Sequence, residues 1–143
     1  MFLGQFNHQI DEKGRIRIPA KFKSELGDSP YITSGTNKCL FVYSQPDFFD
    51  KFLSKLTNLD ITDTEGVKLA RIFAANAVNA EEDKQGRILL PQHLITHAQI
   101  GKNLITIGAI DHVEIWSEEV WRAYNAADDL DDVIMRLAEK KKG

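Results

Sequence analysis

The chain has 143 residues and a formal net charge of −3, with 43% apolar and 27% charged side chains, the balance of an ordinary soluble globular protein. No apolar run reaches the ~18 residues needed to cross a bilayer, and the opening "MFLGQFNHQI" lacks the basic head and long apolar middle of a secretion signal; a cytoplasmic address without a membrane partner is expected. The single Cys39 excludes an internal disulfide and fits a reducing compartment.

An acidic total argues against a nucleic-acid partner, but the charge is uneven. Lys13, Arg15, Arg17, Lys21 and Lys23 crowd the first stretch against Asp11 and Glu12. The acidic excess sits near the end, at Glu118, Glu119, Asp128, Asp129, Asp131 and Asp132. Local charge guides partner assignment better than the total.

In chain order, "FNHQI" alternates like a strand, and "DEKG" is turn chemistry: Asp11 can bond its own downstream backbone and Gly14 accepts positive φ. "RIRI" puts Arg15 and Arg17 on one face and Ile16 and Ile18 on the other. The segment predicts a β-hairpin with arginines outward. Pro19 cannot continue a central strand but suits the first turn of a helix, "PAKFKSEL", which Gly27 stops. "YITSG" and "CLFVY" read as strands. Ser44, Pro46 and Asp47 form a helix start, followed by Phe48, Phe49, Phe52, Leu53 and Leu56 at helical spacing. Thr62 to Glu65 fits a capping box ahead of "GVKLARIFAANAV", a candidate buried linking helix.

The same order then returns. "NAEEDKQGRILL" predicts a second hairpin with turn residues Asp83 and Gly86, "PQHLITHA" a short helix, "NLITIG" and "HVEIW" strands, and "SEEVWRAY" a helix. "DEKGRIRIPAKF" aligns with "DKQGRILLPQHL", "ITSG" with "ITIG", and "LFVYSQPDF" with "VEIWSEEVW". Order and spacing persist over roughly 40 residues, which marks an internal duplication. A last helix, "DDLDDVIMRLAEKKKG", carries a stripe of Leu130, Val133, Ile134 and Leu137, with acids leading and lysines closing it.

A lone Asp-x-x-Gly-Arg is most simply a turn with an ion pair across it. Duplicated, and flanked by Lys13, Arg17, Lys21 and Lys23, it becomes a compact cationic ribbon. Arginine's planar fork suits phosphates and guanine edges, and a two-stranded ribbon fits the major groove. The copies are unequal: Arg17, Lys21 and Lys13 correspond to Leu89, His93 and Gln85, while Arg87 and Lys84 remain. The first copy is expected to supply most of the electrostatics.

This tandem pair of hairpins, in a chain that opens "MFLGQFNHQIDEKGRIRIPAKF", resembles the MraZ family, bacterial regulators with two AbrB-like (SpoVT-AbrB) domains. The resemblance covers almost the whole chain. It implies an α+β, β-rich, swapped-hairpin type of pseudo-dimeric barrel, formed by both repeats of one chain, with short helices and a C-terminal helix. It also implies a homo-oligomeric ring that binds double-stranded DNA at short tandem promoter repeats and regulates a cell-division and cell-wall gene cluster, its own operon included. A nucleoid-associated location follows. The family's motif arginines correspond to Arg15 and Arg87; Lys13, Arg17 and Lys21 extend the candidate DNA-binding set by charge and strand face. The expected divisions are a first repeat over 1–55, a linking helix over 56–77, a second repeat over 78–126 and a C-terminal helix over 127–143.

Other classes find less support. His93 and His97 stand four apart, but Leu94 occupies the place of a zinc protease's glutamate and no third ligand is evident. No catalytic residue, metal or cofactor is expected. Cys39 reads as a small core residue, and Phe48, Phe49, Phe52, Trp116 and Trp121 as core or subunit contacts. The alternative is a non-catalytic assembly or antitoxin-like interaction module on the same fold.

Overall fold

The computed structural model describes residues 1–57 and 60–142. The first half of the chain supplies β1 (Gln5–Gln9), β2 (Arg15–Ile16), α1 (Ala20–Leu26), β3 (Tyr31–Ser34) and β4 (Leu40–Tyr43). A helical stretch follows as α2 (Gln45–Asp47), a π-helical turn (Phe48–Leu53) and α3 (Ser54–Thr57), then α4 (Thr64–Asn76). The second half supplies β5 (Val78–Asn79), β6 (Ile88–Leu89), α5 (Gln92–His97), β7 (Asn103–Gly108), β8 (Val113–Ser117), α6 (Glu118–Ala126) and α7 (Leu130–Lys142).

Six strands form one antiparallel sheet in the order β1-β7-β8-β4-β3-β5, and β2 pairs with β6 in a separate two-stranded ribbon. The sheet order is palindromic about the β4·β8 pair. Each half contributes a first strand to the far edge, and that strand lies on the other half's central hairpin: β1 on β7, and β5 on β3. This is how a duplicated sequence builds one core from two units too small to stand alone.

The fold is α+β, and the expected barrel is corrected: no closed barrel forms among the described residues. The hairpin strands that would close one are two residues long, and each runs into a proline, Pro19 or Pro91, which cannot donate to a ladder. The second hairpin's first arm also departs from expectation. Val78 and Asn79 pair with β3, and Ala80 N–H bonds the Pro30 carbonyl at 2.8 Å; only an isolated bridge, Glu82 to Ile88, remains of the hairpin ladder.

The main core joins Ile16, Phe22, Ile32, Leu40, Val42, Ile88, Leu94, Leu104, Val113 and Ile115, all essentially inaccessible. A second, aromatic cluster gathers Tyr43, Phe48 and Phe52 with Phe41 and Phe73. Gly108 lies where any side chain would collide with the N-terminal segment, 2.4 Å from Leu3 N and the Phe2 carbonyl carbon.

Three helical expectations change. The N-cap of α4 is Asp63, not Thr62: its carboxylate accepts from Glu65 N–H at 3.1 Å and Gly66 N–H at 3.2 Å. The linking helix is not buried; Gly66 alone is inaccessible, and Leu69 and Ile72 face outward. It docks through one narrow line, with Thr33 Oγ1 donating to the Phe73 carbonyl and Asn76 Nδ2 to Ser34 Oγ. Both prolines occupy the N-cap, one position ahead of the first helical residue. The hydroxyl cap at Ser44 does form, accepting from Asp47 N–H at 3.3 Å. Residues 58, 59 and 143, which fall within the expected linking and C-terminal segments, lie outside the described residues. None of the described helices is long and apolar enough to cross a membrane.

Candidate nucleic-acid interface

The two Asp-x-x-x-Arg turns are built alike. Asp11 N–H donates to the Arg15 carbonyl at 3.0 Å and Gly14 N–H to the Asp11 carbonyl at 3.1 Å; the Asp83 turn repeats both bonds at 2.8 and 3.0 Å. Gly14 and Gly86 hold φ near +80°, at 80° and 77°, where a side chain is strained. Each aspartate then folds back over its own turn. Asp11 accepts from the Arg15 and Lys13 backbone N–H groups and from Arg15 Nε, at 2.8, 3.0 and 2.7 Å. Asp83 does the same for Arg87 and Gln85, each bond 2.9 Å.

These contacts hold both carboxyl groups below the ordinary carboxylate range. The backbone N–H of the arginine contributes most, partial desolvation opposes it, and the guanidinium adds to it. Each arginine thereby spends Nε on its aspartate. The Nη groups make no hydrogen bond among the described residues and stay available to an outside acceptor. The aspartate therefore aims the fork rather than quenching it.

The β2·β6 ribbon brings the turns together. Arg15 lies opposite Leu89 and Ile16 opposite Ile88, and Leu90 N–H bonds the Gly14 carbonyl at 2.8 Å. Continuing that register sets Arg17 across from Arg87. The inward isoleucines are 1% exposed, so Arg15, Arg17 and Arg87 share the opposite face by strand alternation. Arg15, Arg17, Lys21 and Arg87 all line one open groove of about 750 Å³ between β1 and the ribbon.

The remaining candidates divide. Lys13 is exposed at the first turn and does not line the groove. Lys21 is exposed, its Nζ 6.0 Å from the Phe6 ring centre. Lys23 ion-pairs with Glu82 at 2.8 Å, tying α1 to the second turn and neutralising one of the acids beside it. Gln85, the uncharged counterpart of Lys13, lines the groove.

The histidines outside this face are engaged structurally. His93 Nε2 donates to the Asn76 carbonyl at 3.1 Å and His97 Nε2 to the Gly35 carbonyl at 3.0 Å. Cys39 is fully buried, and burial raises its thiol pKa well above the ordinary range. Sequence reading missed the cluster about His112, whose ring meets Asp111 at 2.7 Å and Glu114 at 2.9 Å and stacks on Tyr43. The signal was the alternation of His112, Glu114 and Trp116, which share one strand face; Trp116 Nε1 donates to Glu114 at 3.1 Å.

Comparison with known proteins gives this architecture its place. The family model described as "MraZ protein, putative antitoxin-like" matches the chain twice, over residues 1–71 and 73–139, one match for each half of the duplication. The chain belongs to the MraZ family. Proteins named "Transcriptional regulator MraZ" are similar along most of its length. That of Caldanaerobacter subterraneus subsp. tengcongensis is 48% identical over 130 residues, 91% of this chain and 90% of the relative. That of Thermoanaerobacter pseudethanolicus is 49% identical over 125 residues, 87% of each. That of Alkaliphilus metalliredigens is 40% identical over 141 residues, 97% of this chain and 98% of the relative.

Proposed function

We propose that the chain is a sequence-specific DNA-binding transcriptional regulator that reads double-stranded DNA with its paired basic turns. The observation that carries the reading is the convergence of Arg15, Arg17 and Arg87 on one ribbon face, with two of the three forks aimed by aspartates. Planar forks with free Nη groups match phosphate oxygens and the N7 and O6 of guanine. The finer reading is that copies assemble into a ring, in which the repeats 1–55 and 78–126 each present a turn to short tandem promoter repeats of a cell-division and cell-wall operon that includes its own gene. Uncovered apolar side chains on α4 and α7 support self-association, among them Leu69, Ile72, Leu130 and Ile134. Several turns in register would gain affinity through effective concentration, which lets an acidic protomer hold a polyanion.

Selection of bound fragments from random DNA by the purified protein tests the class. Gel shifts on the selected site at several salt concentrations then test the residues. Affinity is expected to fall with salt at a slope of about −0.9 per phosphate neutralised. Arg15→Ala is expected to cost at least tenfold in affinity and Arg87→Ala less, because Arg17 and Lys21 stand beside Arg15 while Glu81 precedes the second turn. An unchanged shift with Arg15→Ala removes that residue from the interface. No selected site, with an oligomer retained on sizing, favours the assembly module instead.

A further inference from the structure

The groove beside the ribbon has a second wall, and its chemistry is that of a peptide backbone. β1 is the edge strand of the six-stranded sheet. Its register with β7 runs from Gln5 opposite Ile107 to Gln9 opposite Asn103. Just beyond the strand, Ile10 N–H bonds the Lys102 carbonyl at 3.0 Å and Gly108 N–H bonds the Gly4 carbonyl at 2.8 Å. In an antiparallel ladder the paired positions alternate, so the even residues of β1 face β7. Gln5, Asn7 and Gln9 turn their backbone N–H and C=O groups away from it.

Asp11 belongs to the same series and does find a partner across the hairpin, Arg15. There the pairing stops, because the chain leaves β1 to pair with β6. Among the described residues, the main-chain groups of Gln5, Asn7 and Gln9 have no hydrogen-bond partner outside the sheet. The hairpin has splayed, and the gap between its arms is the groove. Asn7 and Gln9 line one side; Arg15, Arg17 and Lys21 line the other.

We infer that this gap is a docking site for an extended acidic peptide segment, which would add to β1 as a further antiparallel strand. Two features select that occupant. The free edge offers donors and acceptors in alternation, and only another peptide backbone answers both; a phosphate chain could satisfy the N–H groups and would leave the carbonyls facing like charge. The facing wall is cationic, so acidic side chains on the added strand meet arginine and lysine. Backbone bonds would supply affinity and the side chains the preference, as in other strand-addition complexes. Unpaired sheet edges are the usual templates for such additions.

Peptide binding does not rest on the DNA reading. One consequence does: Arg15, Arg17 and Lys21 cannot serve an acidic strand and DNA together, so a bound peptide displaces DNA.

The test uses the full chain and a labelled, end-blocked heptapeptide of alternating glutamate and valine. Fluorescence anisotropy is expected to show saturable binding, and the amide resonances of Gln5, Asn7 and Gln9 are expected to move most. A peptide of the same sequence with alternate amides N-methylated keeps its charge and loses its donors; it is expected to bind at least tenfold more weakly. Replacing glutamate by lysine is expected to abolish binding. Asn7→Pro, which removes one edge N–H at a position where proline is tolerated, is expected to weaken the parent peptide about tenfold.

Equal binding of the methylated and parent peptides would mean charge adhesion alone and overturns the proposal. So would shifts confined to residues away from β1. Slow hydrogen exchange at Gln5, Asn7 and Gln9 in the unliganded protein would show that a second copy already covers the edge, and also overturns it. Gel shifts with and without peptide keep the two claims apart. DNA binding that persists beside a bound peptide removes the competition alone, and absence of any DNA binding leaves the anisotropy result standing.

Discussion

Asp11 and Asp83 each serve two ends with one carboxylate. One oxygen closes the turn on backbone N–H groups and the other fixes Nε of the arginine four residues on. This much was legible from five letters, because the bonds are local and Asp, Gly and Arg have narrow roles at those spacings. Gly14 shows how tight the local solution is. Its φ of 80° disfavours a side chain, and a Cβ there would stand 3.4 Å from Ile95 Cδ1 and 3.6 Å from the Leu90 carbonyl oxygen. Gly14→Val is therefore expected to lower the thermal midpoint as well as DNA affinity; a variant melting like the wild type would argue against the turn as described. His112 was not legible, because its partners come partly from β4. Burial lowers its affinity for a proton, but hydrogen bonds to Glu114 and Asp111 outweigh that, and the net pKa is raised. A histidine whose folded pKa lies above its unfolded value stabilises the fold fully below about 6.5. That contribution fades as pH climbs through the raised folded value. Thermal melts across this interval are expected to show a declining midpoint in the wild type and a flatter one in His112→Gln.

At the scale of elements, periodicity found most strands and helices but could not name their partners. Alternation says which face of β1 or β5 is buried; it says nothing of which strand lies beside it. The simple hairpin was the economical guess, and the structure instead sends β1 to β7 and β5 to β3. The helix α4 misled for a related reason. "GVKLARIFAANAV" is rich enough in apolar residues to be buried, yet only the line through Val67, Ala70 and Phe73 turns inward while Leu69 and Ile72 stay exposed. The ribbon is the element on which the proposed interface depends. Ile16 and Ile88 meet across it, each 1% exposed. Ile88→Ala removes a buried side chain and leaves a cavity, which is expected to cost about 2–5 kcal/mol in chemical denaturation. Because the ribbon orients both turns, the surviving folded fraction is expected to bind DNA less tightly even though no cation was changed. Full affinity per folded molecule would mean that the turns do not depend on the ribbon for their aim.

For the whole molecule, the duplication visible in the letters becomes a pseudo-twofold arrangement about β4·β8. The charge asymmetry between copies belongs to composition, and the fold adds to it where the two turns sit. Beside the second turn, Glu82 is taken up by Lys23, and Arg87 lines the same groove as Arg15 and Arg17. Two turns unequal in charge thus border one groove. The exposed stripe of α7, with Leu130 at 74% and Ile134 at 53%, was legible as a stripe. A helical period records only that a side is apolar, and in the structure that side is exposed.

The palindromic sheet order has a consequence for what happens when the chain is cut. β1 is held by β7, β2 by β6, β5 by β3 and β8 by β4, so four of the six strand pairings among the described residues run from one half to the other, and only the hairpins β3·β4 and β7·β8 stay within one. A protease nick within 60–63 would leave the two fragments clasped, migrating together on sizing and parting only in denaturant. Expressed separately, each half would be an open sheet without a lid, and mixing them should restore the melting transition that neither shows alone.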